Sequence, residues 1–253
     1  MKKIITAILG VSTLALSSCA NQAEVVSDIS HSSTISNGYV DSIATPVVIK
    51  QILADDKTPT LGNENAKEAV VVFFDYACGR CTEISKRLNH IVDKNPNVKF
   101  IFKAYPSNDR DAKVANYATL AAYEAYQQGG QELFRAYNKA IFAQRDANGE
   151  LTNEHVDAVI KQLGVKVDQA KLKKQAKAEE LESRQLGKTI GFTGPHSMII
   201  LPTELADMSA KELLQNKSNI YVLAGTSAKE DLMNHKEIAK IIADNVSAHI
   251  KNF

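Results

Sequence analysis

The hydrophobic pattern changes period several times along the chain, and each change predicts an element. Val70 to Phe74 is an unbroken apolar, β-branched and aromatic run, the pattern of a strand covered on both faces. It ends at Cys78-Gly79-Arg80-Cys81, after which Ile84, Leu88, Ile91 and Val92 recur at helical spacing between Glu83, Lys86, Arg87 and Asn89. Asn95-Pro96-Asn97 marks a turn, and Val98 to Phe102 reads as a second strand. From Asp109 to Gly187 the strand signal disappears. Helical segments are expected from about Asp111 to Gln128, stopping at Gly129-Gly130, and from about Gln131 to Ala143. A third begins with Thr152 as N-cap, without the Glu of a full capping box, and ends near Gly164; a fourth, highly charged, runs from about Asp168 to Gly187. Strands return at Ser197–Leu201 and Ile220–Gly225, and Ser227 onward is helical. The order β-α-β, helical block, β-β-α predicts a small sheet with a helical block inserted between its halves.

Upstream of this body the pattern is weaker. Residues 20 to about 45 are rich in Ser, Asn, Thr and Asp and read as a flexible tether. Val47 to Leu53 is a short apolar segment, strand or helical turn, and Asp55 to Lys67 is a turn-rich lead-in. The first residues are a targeting segment: Lys2 and Lys3, the apolar run Ile4 to Leu16, then Leu16-Ser17-Ser18-Cys19. The run is too short to span a bilayer. Leu-Ser-Ser-Cys resembles a bacterial lipobox, which implies cleavage before Cys19 and lipidation of its thiol. Ala20 follows where an aspartate would suggest inner-membrane retention, so the expected location is the periplasm, lipid-anchored at the outer membrane.

Composition adds little beyond exclusions. A 253-residue chain with 44% hydrophobic and 23% charged residues is long enough for a real core. The formal charge of +1 and the lack of a basic stripe with interleaved aromatics argue against nucleic acid as a partner. The cysteines say more. With Cys19 assigned to lipid, the only remaining thiols of an exported chain are Cys78 and Cys81, so the pair is read as a working pair.

Its position explains why. Cys78 falls at the start of a helix, where unpaired backbone N–H groups and the helix dipole stabilise a thiolate, and Arg80 would add a nearby positive charge. Cys78 is therefore the expected attacking sulfur and Cys81, one turn on, the resolving one. The alternatives are a structural disulfide, which would close too short a loop to remove much chain entropy, and a pair of zinc ligands, which lacks a second CxxC or HxxxH nearby.

With these residues in view, the chain resembles the DsbA-like thiol-disulfide oxidoreductases. The likeness rests on Leu61-Gly62-Asn63, Ala66-Lys67, Phe73-Phe74-Asp75-Tyr76 with Cys78-Gly79-Arg80-Cys81, Leu151-Thr152, Leu163-Gly164, Gly191-Phe192-Thr193-Gly194-Pro195 and Ala224-Gly225. It covers roughly residues 55 to 250. It implies an α/β, thioredoxin-like fold with an inserted helical subdomain, divided as follows: a lipoprotein-type signal peptide over 1–18, a lipidated tether over 19–54, the thioredoxin-like domain over 55–107 and 188–253, and the helical insertion over 108–187. The implied activity is disulfide exchange with exported proteins, as an oxidant, with no cofactor and a membrane redox partner of the DsbB-like or DsbD-like kind. Isomerase or reductase roles are alternatives, as is a lipoprotein that binds a soft metal through Cys78, Cys81 and His196.

Two departures from the family pattern bear on the site. A buried glutamate that assists proton transfer in the family corresponds here to Val72. The loop that carries a cis-proline facing the sulfurs has Gly194 directly before Pro195, so either Pro195 or His196 occupies that place. The phase of the Ser197–Leu201 run fits His196, whereas the lower cost of a cis bond before proline favours Pro195. Gly79, Arg80, Gly194, Pro195 and His196 are the expected supports of the cysteine pair, with His196 a tuner of Cys78, a third soft ligand or a plain surface residue of the substrate-binding loop.

Overall fold

The computed structural model describes residues 33–55, 57–106, 112–168 and 181–224. Its centre is a five-stranded mixed sheet in the order β1-β3-β2-β4-β5. The strands are β1 (Thr60–Gly62), β2 (Glu68–Phe74), β3 (Val98–Ala104), β4 (Ser197–Pro202) and β5 (Tyr221–Leu223). β2 pairs in parallel with β3, the return being made by α3 (Gly79–Lys94), and antiparallel with β4 on its other side. Every residue of β2 is buried, as its unbroken apolar run predicts.

Side chains of β2 alternate between two separate cores. Val70, Val72 and Phe74 join Phe100, Phe102, Met198 and Ile200 on one face, covered by α3, α4 (Ala112–Asn148) and α5 (Asn153–Leu163). Ala69, Val71 and Phe73 join Ile101, Ile199 and Leu201 on the other face. There they are covered by α1 (Ser33–Ile43), α2 (Pro46–Leu53) and α6, a helix over residues 181–190. A short α7 (Ala210–Gln215) precedes β5.

The helical block follows the sequence reading, with one refinement. α4 leaves helical geometry at Gly129 (φ −141°) and Gly130 (φ 60°), so it is two helices across the expected break. Thr152 caps α5, and a reciprocal box does form: the His155 backbone N–H donates to Thr152 Oγ1, while Thr152 N–H donates to His155 Nδ1. The imidazole takes the part that Glu would take, which corrects the expectation of an incomplete box.

The expected tether over 19–54 is corrected over its described part. Thr45 caps α2 with Pro46 in its first turn, and Ile43, Val48, Ile49 and Ile52 are buried against the second core. Their apolar spacing, short and flanked by polar residues, is a helix face that needs the sheet as its partner. The signal segment, Cys19, most of the charged helix expected over 168–187 and the C-terminal helix from Ser227 lie outside the described residues. Among the described residues no helix is long and apolar enough to cross a membrane.

Candidate active site

The site forms where β2 ends. Asp75 and Ala77 make the turn: Asp75 Oδ1 accepts from the Ala77 N–H (2.8 Å), and Asp75 O accepts from the Cys78 N–H (3.2 Å). Cys78 is the N-cap of α3 in extended geometry (φ −79°, ψ 116°), and no side chain caps the helix there. The first-turn N–H groups are therefore left to the Cys78 sulfur. Cys78 is half-buried, Cys81 is buried, and both are free thiols.

The two sulfurs have opposite acidities. Cys78 is held down to about 4, first by the hydrogen bond from the Cys81 thiol, then by the His196 ring and the backbone N–H groups of Cys81 and Arg80, against its own burial. Cys81 is pushed well above the ordinary thiol range by burial, by donating its proton to Cys78, and by the negative charges of Cys78 and Asp75. Arg80 contributes its backbone N–H, and its side chain, whose charge was expected to add to the thiolate's stabilisation, is exposed to solvent.

β4 delivers the other half of the site. The β2–β4 register puts Ser197 opposite Phe73, so the residue just before the strand lies beside the end of β2. That residue is His196: its N–H donates to Phe73 O (2.7 Å), and its φ of 63° makes it the only non-glycine residue in the left-handed region among the described ones. No peptide bond among the described residues is cis, so neither Pro195 nor His196, the two residues considered for the family's cis-proline place, follows a cis bond. Pro195 is buried one residue further back, and Gly194 faces open space. Donor atoms of Cys78, Cys81 and His196 all lie within 4.8 Å of one another.

The loop is held from below by the second core. Phe192 packs on Phe73 (ring centroids 5.1 Å) and on Tyr39, and its carbonyl accepts from the Tyr105 hydroxyl (3.1 Å). Tyr105 lies so close to α6 that a Cβ on Gly187 would meet its ring at 2.4 Å. Tyr105 is thus part of the second core beneath the loop. Val72 lines a cavity of about 10 Å³ together with Cys81, His196 and Met198.

Arg145 is the residue that sequence reasoning missed. From the second half of α4 its Nε donates to Ala77 O (2.9 Å) and its guanidinium donates to Gly149 O, fastening the helical block to the turn before Cys78. Gly79 lies beside it: a Cβ there would come within 3.2 Å of the guanidinium and push it back by a few tenths of an ångström. The available signal was its spacing of four and three from the apolar Ile141 and Phe142, which aims it at the same side of the helix.

A buried parallel strand feeding a helix capped by CxxC, with a helical block inserted before the last strands, is the fold of the DsbA-like thiol-disulfide oxidoreductases. The thioredoxin family model matches residues 54–191, and the chain belongs to that family. Similar solved structures agree in fold. BcfH of Salmonella enterica Typhimurium is 20% identical, with a TM-score of 0.62 over 84% of this chain and 85% of that one. The thiol-disulfide exchange protein α-DsbA2 of Wolbachia pipientis is 20% identical, with a TM-score of 0.53 over 73% and 97%. A periplasmic thioredoxin-like protein from Salmonella enterica serovar Typhimurium is also 20% identical, with a TM-score of 0.53 over 68% and 95%. No curated protein matches the sequence significantly.

Proposed function

We propose that the chain is an exported, lipid-anchored protein thiol-disulfide oxidoreductase that oxidises other exported proteins through Cys78 and Cys81. The observation that carries the reading is the division of the pair: a half-exposed Cys78 held near a pKa of about 4 at a helix N-terminus, with a buried, high-pKa Cys81 behind it. Stabilising the Cys78 thiolate stabilises the reduced pair, and a stabilised reduced pair is an oxidising couple.

In the forward direction a substrate thiolate attacks Cys78 Sγ of the Cys78–Cys81 disulfide. The S–S bond breaks, Cys81 leaves and takes up a proton, and substrate and Cys78 share a mixed disulfide. A second substrate thiolate then attacks the substrate sulfur, releasing Cys78 as a thiolate, the better leaving group of the two sulfurs. The substrate has lost two electrons and the CxxC has gained them. A membrane partner of the DsbB-like kind, or for a reductive role the DsbD-like kind, would reset the pair.

Export is supported by the leader over 1–18, and anchoring by the lipobox-like Leu16-Ser17-Ser18-Cys19. Retention at the outer membrane rests on Ala20 after the cysteine. The folding of residues 33–53 onto the body shortens the tether expected to reach residue 54, so an anchored enzyme would work close to the membrane surface.

The reduction potential, measured by equilibration with glutathione and thiol alkylation, tests the direction. A value near about −120 mV is expected; about −180 mV would place the protein with isomerases and about −270 mV with reductants, and a pair that never equilibrates would overturn the enzymatic reading.

A further inference from the structure

The exchange chemistry uses the two sulfurs and leaves His196 as their neighbour, yet the three side chains also form a donor set. Their ligand atoms lie within 4.8 Å of one another, and among the described residues no other His, Cys, Asp or Glu joins the group. An ion bound at about 2.3 Å from sulfur and about 2.0 Å from imidazole nitrogen separates its donors by roughly 3.5–4 Å. The triangle present in the reduced chain therefore needs only small contractions to close on one ion.

His196 is held for this independently of the thiols. Its backbone is fixed by the bond to Phe73 O and by its left-handed φ, and its Nδ1 is buried without a hydrogen-bond partner. A buried ring nitrogen without a partner carries a desolvation cost that a ligand would offset. Cys81 closes the set from the core side, and half-exposed Cys78 leaves a route in from solvent. Met198, whose thioether is a soft donor type, lines the small cavity shared by Cys81 and His196.

The donor types select the ion. Two thiolates and one imidazole disfavour magnesium and calcium, which take oxygen ligands. A closed zinc site needs four protein ligands, whereas three soft donors suit monovalent copper. We propose that the reduced chain binds one Cu(I) ion through Cys78 Sγ, Cys81 Sγ and a ring nitrogen of His196. Coordination takes both sulfurs as thiolates, any proton a sulfur still carries going to solvent, and leaves sulfur and copper in their oxidation states. The disulfide form has no thiolate to offer, so copper and the disulfide exclude each other.

The test is an anaerobic titration of the reduced full chain with Cu(I) against bicinchoninate, followed by X-ray absorption at the copper edge. One ion per chain with a shell of two sulfurs and one nitrogen is expected, and His196→Ala should weaken binding by roughly tenfold or more. Failure to compete with the chelator, a shell of sulfur alone, or copper bridging two chains would each overturn the site. The absorption shell of the unmodified chain decides even if His196→Ala fails to fold. Because the reduction potential is measured in chelator-treated buffer, a negative copper result leaves the exchange reading standing, and a failed exchange assay leaves the copper site standing.

Discussion

The two arms of the active site are built in opposite ways. The Cys78–Cys81 arm is local: one turn, one helix N-terminus and four consecutive residues, resting on the core formed by α3, α4 and α5. The His196 arm is assembled from far apart: it depends on the β2–β4 register and on Phe192, Tyr105, Tyr39 and Gly187 in the core on the other face of the sheet. The first arm carries the reacting atoms, whereas the second adjusts them. A central strand whose side chains alternate between two cores is what brings the arms together, since Phe74 faces one and Phe73 the other.

If the cysteine arm holds the chemistry, its loss should have the largest effect. Cys78→Ser is expected to abolish exchange with a reduced protein substrate while leaving the far-ultraviolet circular dichroism of the fold unchanged. Cys81→Ser should instead accumulate mixed disulfides through Cys78, visible on non-reducing gels. Equal effects of the two substitutions on mixed-disulfide trapping would break the assignment of roles.

The next effect is on stability against pH. The folded Cys78 pKa of about 4 lies below the unfolded thiol value of about 8.5. A depressed pKa contributes stability that is fully present above the unfolded value and is lost as pH falls toward the folded one. In chelator-treated buffer the reduced form should therefore gain stability over the disulfide form as pH rises from about 4 to about 8.5. Urea denaturation of both forms across that range checks it, and a flat difference would remove the basis for an oxidising couple.

A smaller effect is expected where the helical block grips the cysteine arm. Arg145→Ala removes the bond to Ala77 O and should lower unfolding stability by about 1.5–3 kcal/mol, as for a hydrogen bond from a charged group. Exchange should slow as the turn before Cys78 loosens. Unchanged stability in urea would mean that Arg145 is a bystander.

What could be read from the sequence divides along the same line. The apolar run before Cys78 and the helical spacing after it are local signals, so the strand, the helix and both cysteines were legible from a dozen residues. The Gly129-Gly130 break and the Thr152 cap were legible for the same reason. α1 and α2 were not, because their polar flanks read as tether and their apolar faces make sense only against the sheet. The place of His196 depended on a strand register that single-residue phase arguments left open against the cost of a cis bond. The grip of Arg145 joins residues 68 positions apart, and no periodicity encodes that.

The smallest effect isolates the second arm. His196 has a φ of 63°, a region that glycine enters without the Cβ clash, while glycine also loses more chain entropy on folding. These two contributions oppose each other, so His196→Gly should alter stability by less than about 1 kcal/mol. The same change deletes the ring that helps to hold Cys78 down, so the pH midpoint of Cys78 alkylation should move up from about 4 toward the ordinary thiol range. The shift should be partial, because the Cys81 thiol, the largest of the lowering influences, and the backbone N–H groups remain. An unchanged midpoint with unchanged stability would mean that the distant arm touches the sulfurs without adjusting them, and the division between a reacting and an adjusting arm would fall.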